Sequence, residues 1–267
     1  MLSVVMSVYN AEKYLSESIE SILNQTLTEF DFIIINDKST DSSLDIIKKY
    51  ATKDKRIKLI NNEKNIGLTK SLNKAINISN GKYIARMDAD DIAHLERLEK
   101  QYKYLDKHPE VVVLGTSGFT INEDGDIINE RNVPLQFKKI KQVLRYVNPM
   151  IHPSVMFRKK EIKHIGNYNE VYDKVQDYEL WFRCVAQGYK MRNLKERLIY
   201  YRSNNAYFER KSLQYRMTAL KIRWGGYNLL KIPYYKRYGV FIPNFLGLTP
   251  NFILKYSYKF LKKFDPR

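Results

Sequence analysis

Cysteine is nearly absent: Cys184 is the only one in 267 residues, so no intrachain disulfide can form. That fits a reducing compartment, with the thiol serving as a small core residue. Glycine is missing from the first 66 residues, the first being Gly67. This excludes a glycine-rich phosphate cradle after the first apolar segment. Long hydrophobic runs are also lacking, since none approaches the ~18 residues a spanning helix needs. The opening MLSVVMSVY has no basic flank ahead of it and runs into a charged segment, so no secretory signal is expected. Acidic residues are few: 29 Asp and Glu against 46 Lys and Arg, for a net charge of +17.

What is present suffices for a core, because 44% of residues are hydrophobic and disorder is excluded. The positive charge is unevenly placed. From Tyr207 to Arg267 there are 13 Lys or Arg against Glu209 and Asp265, together with 15 of the 35 aromatic residues. Basic plus aromatic composition reads as an interface with an anionic partner, a membrane surface before nucleic acid. The plainer alternative is a basic helical appendage docked through its aromatics.

Apolar runs at Leu2–Val8, Phe32–Ile35 and Ile57–Ile60 read as buried strands, and amphipathic stretches between them read as helices. Asn10 is expected to cap the first helix, and Gly81 to close the third as its C′ residue. This alternation predicts an α/β fold, a mostly parallel sheet flanked by helices, in which ligands bind at the carboxyl ends of the strands. Three polar clusters fall at such ends: Tyr9–Asn10, Asn36–Asp41 and Asp88–Asp91. The last follows GKYIAR, a fourth strand. Carboxylates one residue apart at a strand end can converge on a hard divalent ion. A solvated acidic turn is the alternative. Residues Asp177 to Gly188 read as a further helix, and from about Tyr207 helices dominate.

The ordered set MSVYN, INDKSTD, NIGL, MDADD, RLEKQ, HPSVMFRK and VQDYELWFR, spread over residues 2 to 202, resembles inverting family 2 glycosyltransferases with the GT-A fold. The likeness is to bacterial enzymes that build capsule, exopolysaccharide or lipopolysaccharide chains. It implies a catalytic domain over 1–205, with nucleotide-sugar binding in about 1–92 and the acceptor side in about 93–205. The basic, aromatic, helical region 206–267 then follows. It implies that Ser7, Val8 and Tyr9 line the base pocket and that Asp37 accepts a hydrogen bond from a uracil N–H. Asn65 and Gly67 would form a loop near the nucleotide. Asp90 would ligate manganese or magnesium, with Asp88 holding ribose or a metal-bound water and Asp91 orienting the ligands. Asp177 would be the general base, although a helix cap is the alternative from the residues alone.

His152 would touch acceptor or diphosphate, or else be structural; Trp181 and Tyr178 would give a platform for a sugar ring, or else be core. INDKSTD has Asn36 and Lys38 where the family more often has Asp and Gly. Lys38 would reach a phosphate or water. Many relatives carry a metal-binding histidine just after the residues matching Tyr201–Arg202; here SNNAYF follows, so Asn204, Asn205 or water would substitute and Arg202 would contact the diphosphate.

The resemblance implies transfer of a sugar from a nucleotide-sugar donor, with UDP-sugar as the default. The acceptor would be a hydroxyl of a glycan or polyprenyl-diphosphate-linked glycan, at the cytoplasmic face of the cell membrane, with no nucleic-acid partner. Two other classes are a sugar nucleotidylyltransferase, which the missing glycine-rich loop weakens, and a basic nucleic-acid-binding protein, which leaves the carboxylates unexplained.

Overall fold

In a computed structural model, residues 1–203 and 213–240 are described. The first half alternates strand and helix: β1 (Leu2–Val8), α1 (Glu12–Leu23), β2 (Phe30–Asn36), α2 (Ser43–Lys53), β3 (Ile57–Asn61), α3 (Leu68–Ile78) and β4 (Tyr83–Met87). The second half continues with β5 (Ile92–Ala93), α4 (Arg97–Lys107), β6 (Val111–Ile121), β7 (Ile127–Arg131) and α5 (Phe137–Val143). A 3₁₀ turn (His152–Ser154) leads into β8 (Met156–Arg158), α6 (Lys159–His164), α7 (Gln176–Ala186) and β9 (Lys190–Arg202). After the gap come α8 (Leu213–Leu229) and a second 3₁₀ segment (Tyr234–Val240).

Nine strands form one sheet in the order β3-β2-β1-β4-β8-β6-β9-β5, with β7 on β6. The run β3-β2-β1-β4 is parallel throughout, and β9 runs parallel to β6; β8, β5 and β7 pair antiparallel. Successive strand residues point to opposite faces, and β1 shows it. Val4 and Met6 join Ile19, Ile34 and Leu98 under α1, α2 and α4, whereas Val5 joins Leu72, Phe157 and Trp181 under α3 and α7. Both faces are covered, which is why these strands are apolar almost without interruption. Helix α8 belongs to the second core, burying Ala219, Ile222 and Tyr227. No helix among the described residues is long and apolar enough to cross a membrane.

Parallel register brings the polar strand ends together. Val8 pairs with Asn36 and Met6 with Met87, so Tyr9, Asp37 and Asp88 all leave the sheet at one edge.

Two local expectations are corrected. Asn10 does not cap α1; it sits at φ 49°, donates its N–H to Ser39 Oγ (3.1 Å) and accepts from Thr40 N (2.8 Å). The start of α1 is instead held across the chain, where Asp41 Oδ2 accepts from Glu12 N (3.0 Å). Gly81 is not the C′ residue either, since α3 ends on Ile78 with Ser79 extended beyond it. A Cβ at Gly81 would lie 2.5 Å from Ser3 N, so the glycine is needed for close backbone approach. The tail KYSYKFLKKF, Asn204 and Asn205 lie outside the described residues.

Candidate active site

The acidic turn begins where β4 ends. Residues two apart in a strand share a face, and Arg86, 2% exposed, holds both carboxylate oxygens of Asp88 with its two terminal nitrogens. Ser18 Oγ donates to Asp88 O (2.7 Å) and Arg202 Nε to Asp90 O (2.9 Å). Asp91 is 1% exposed; its Oδ1 accepts from Arg202 N (2.8 Å), while Oδ2 is buried without a partner. Burial first, then the charges of Asp90 and Asp88, pushes the Asp91 carboxyl well above the usual carboxylate range. One oxygen from each of Asp88, Asp90 and Asp91 lies within 4.8 Å of the others. An orphaned carboxylate oxygen in a cluster that repels itself is what a hard dication would satisfy, so the residues fit such an ion.

At the end of β2 lies Asp37, buried at 2% exposure. Its Oδ1 accepts from Asn62 Nδ2 (2.8 Å) and Ile66 N (2.9 Å), and its Oδ2 from Gly67 N (2.8 Å). The carboxylate thus shapes the Asn65–Gly67 loop, with Gly67 at φ 87°, a backbone region that favours glycine. Ser7 is half-buried, Val8 buried, Asn65 exposed, and Tyr9, at 52%, leaves its ring open. Lys38 takes φ 61° with its side chain exposed; this explains the family's frequent glycine at that position.

Asp177 is the second residue of α7, whose first residue Gln176 follows Val175 at φ 65°, an unusual conformation for a β-branched residue. Backbone N–H groups of the first turn, those of Asp177 and Tyr178, donate to its carboxylate. Asn148 Nδ2 donates to its Oδ2 (2.5 Å), and the residue is 7% exposed. Burial raises its pKa, opposed by the Asn148 hydrogen bond and the Arg86 charge. His152 Nε2 meets Tyr168 Oη at 2.8 Å, its ring edge-on to Tyr168 and Trp181. Burial, then Arg86, holds this imidazole well below its usual pKa, hence neutral.

Two expectations change here. Trp181 is fully buried and Tyr178 donates its hydroxyl to Leu144 O (2.6 Å), so both are core and neither is an open platform. Trp181 meets His152 edge-on. Arg202, 2% exposed, does not present its guanidinium to a diphosphate. Besides Asp90 O, it donates to Asn122 O (3.0 Å), Glu123 O (2.9 Å) and Glu17 Oε2 (2.5 Å), clamping the acidic turn from behind. Sequence reasoning missed Arg86, Asn148 and Asn62. Arg86 had a signal, because a charge inside an otherwise apolar buried strand is costly unless paired. A basic cavity of about 480 Å³, lined by Lys82, Lys159 and Lys163, lies at the opposite ends of β1 and β4, away from this site.

The sheet thus carries a carboxylate cluster at its parallel edge and a buried carboxylate on a neighbouring helix. Residues 3–166 match Glycosyl transferase family 2, and the chain belongs to that family. It is a glycosyltransferase. An uncharacterized glycosyltransferase of Methanocaldococcus jannaschii is 42% identical over 266 residues, 96% of this chain and 91% of that one. An Escherichia coli UDP-Gal:α-D-GlcNAc-diphosphoundecaprenol β-1,3-galactosyltransferase is 30% identical, covering 96% of this chain and 94% of its own. Other relatives are named for O-antigen and amylovoran biosynthesis. Among solved structures, Staphylococcus aureus TarS residues 1–349 with UDP-GlcNAc aligns at TM-score 0.64 and 20% identity, over 94% of this chain and 82% of that one. The chain spans 64% of another TarS 1–349 structure, at TM-score 0.62. These likenesses establish the GT-A fold. Nucleotidylyl transfer and nucleic-acid binding are not favoured.

Proposed function

We propose that the protein transfers a sugar from a UDP-sugar to a hydroxyl of a lipid-linked glycan, with inversion, in cell-surface polysaccharide synthesis. The observation that carries this is the meeting, around Arg86, of the Asp88–Asp91 turn with the buried carboxylate of Asp177: the Arg86 charge bears on Asp91 and on Asp177 alike. Tyr9, with Ser7 and Val8, faces the base. Asp37 keeps room at Oδ2 for a base N–H beside its bond to Gly67. Asp90 and Asp88 hold manganese or magnesium and the ribose, Asp91 and Arg202 orienting them. When bound, the dication supplies positive charge to the departing diphosphate.

Asp177 takes the proton of the attacking hydroxyl on the oxygen that Asn148 leaves open. A raised pKa brings this base nearer to working pH, the direction that favours general-base catalysis. His152, neutral and tied to Tyr168, borders the acceptor. The diphosphoundecaprenol acceptor in the name of the Escherichia coli relative supports a polyprenyl-diphosphate-linked acceptor, and with it an anionic membrane surface at the cytoplasmic face. The basic, aromatic region after residue 206 would meet that surface.

A donor screen tests the reading: release of nucleotide from UDP-, GDP- and dTDP-sugars with manganese, for wild type and Asp90→Asn. Manganese-dependent UDP release, lost in the variant, is expected. Release that ignores both manganese and Asp90 would overturn it.

A further inference from the structure

The segment between α5 and the first 3₁₀ turn carries Asn148, half-buried, against the start of α7. Its amide is oriented from both ends. Oδ1 accepts from Met150 N (3.2 Å), and Nδ2 donates to Asp177 Oδ2 (2.5 Å). An amide has one accepting and one donating end, so the Met150 bond fixes which of them meets the carboxylate. Pro149 follows directly and disfavours a helical backbone at position 148.

The segment is itself fastened. Tyr178, next to Asp177 on α7, donates its hydroxyl to Leu144 O (2.6 Å). From α8, Tyr227 Oη donates to Arg145 O (3.0 Å) and Arg223 to Tyr146 O (3.3 Å). On the other side of Asn148, Asn193 of β9 donates its Nδ2 to Pro149 O (3.2 Å). Carbonyls flanking Asn148 are thus held by α7, α8 and β9, and the amide reaches Asp177 from a braced segment rather than a free loop.

We infer that Asn148 is a positioning residue for Asp177: its amide fixes the rotation of the buried carboxylate, so that the lone pairs it leaves open meet the acceptor hydroxyl. The inference rests on Asp177 as the general base, as proposed above. The same bond keeps the base ionised. Burial raises the Asp177 pKa, and the Asn148 hydrogen bond opposes it, together with the first-turn N–H groups and the Arg86 charge. Arg86 comes from β4; Tyr168, on the segment before α7, also bears on Asp177. A second cation in place of Asn148 would pull the pKa down further and weaken the base. A neutral donor orients the carboxylate without adding that countercharge.

The variants are Asn148→Ala, which removes the donor, and Asn148→Asp, which keeps the shape and sets acceptor against acceptor. Carboxyl-carbon NMR of labelled aspartate in the full chain follows the base without any substrate, the Asp177 signal being assigned by its loss in Asp177→Asn. Losing the hydrogen bond should raise the Asp177 midpoint by about one pH unit in Asn148→Ala. The rise should be larger in Asn148→Asp, where two carboxylates share one site. UDP release from the UDP-sugar that wild type turns over fastest should fall about tenfold at pH 8 in Asn148→Ala, with KM for that sugar nucleotide within about twofold of wild type. The acid limb of its pH profile should move up with the midpoint. Melting temperatures establish that each variant is folded. In folded variants, an unmoved midpoint, or turnover that is unchanged or falls equally at every pH, overturns this inference alone. Unfolding of both variants does so too, because Asn148 would then be structural. Wild-type turnover by Asp177→Asn overturns it together with the base reading.

Discussion

Replacing Asp177 with Asn should make the protein slower and more stable at once. The change is nearly isosteric, and the amide oxygen at 177 can still accept from Asn148 Nδ2, which now sits 2.5 Å from Asp177 Oδ2. What disappears is the proton acceptor, and general-base catalysis is worth ~10²- to 10⁴-fold in rate. Asp177 touches none of the nucleotide residues, so donor affinity should hold. Stability moves the other way. Asp177 is 7% exposed and burial raises its folded pKa above the ordinary value of 3.8. Below the ordinary value both folded and unfolded chains are protonated there, and the charge costs nothing. As pH rises, the unfolded chain ionises first, so folding loses stability until the folded carboxyl has ionised too. Above that point the loss is constant. The Asn variant escapes it and should gain about 1 kcal/mol at pH 8, or roughly 2–4 °C in melting temperature. The gain should close as pH falls towards 4. Melting curves across that range, paired with single-turnover UDP release, give both readouts. A variant that melts lower at pH 8, or that turns over within tenfold of wild type, would refute the assignment of Asp177 as a buried base.

Asp37→Asn places an amide opposite three N–H donors, so one orientation or the other sets donor against donor. About 2 kcal/mol of stability should be lost with it, and UDP affinity, measured by calorimetry, should fall as the Asn65–Gly67 loop opens; a lower melting point with full UDP affinity would reduce Asp37 to a structural role. Gly226→Ala puts a Cβ 2.3 Å from Phe182 Cδ1, across the contact between α8 and α7. A loss of about 2 kcal/mol is expected, with faster hydrogen exchange in α8 than in α1; equal exchange would mean that α8 is not held by this contact.

The parallel half of the sheet was legible because a strand buried on both faces must be mostly apolar, and β1, β2 and β4 are, Asp31 and Arg86 being their charged exceptions. Motif and topology agreed at Asp37 and Asp88–Asp91, which the structure places at one edge of the sheet. Burial was not legible. Trp181 and Tyr178 lie within one helical turn of Asp177, and spacing cannot say which face of α7 meets α5, β9 and α8. Arg202 looked free for a diphosphate because its acceptors, Glu17 and the Asn122–Glu123 turn, are distant in sequence. Asn10 looked like a cap for the same reason: Asp41, which meets the α1 N-terminus, lies on another loop.

These long-range partners share one purpose at the acidic turn. Three carboxylates within four residues at a strand end, Asp88, Asp90 and Asp91, repel one another, and a strand edge alone would splay them towards water. Three arginines prevent that from three directions. Arg86 comes along β4 to Asp88, and Arg202 arrives at the end of β9 to hold the Asp90 carbonyl and the Asp91 carboxylate. Arg97 starts α4 and holds the Arg86 carbonyl, its Nε fastened to Gln101 Oε1 at 3.1 Å. Arg97 is fully buried; burial, then repulsion from Arg86, lowers its pKa to about 9, against the pull of Asp91 and Asp88. Neither set of charges is comfortable without the other, since a buried ion left unpaired costs several kcal/mol. The turn is therefore preorganised by ion pairing before any ligand arrives, and its carboxylates need not be gathered when the donor binds. Such prior ordering is what electrostatic stabilisation of a departing diphosphate requires. It also explains why RLEKQ belongs to the pattern: Arg97 and Gln101 are the back wall of the acidic turn.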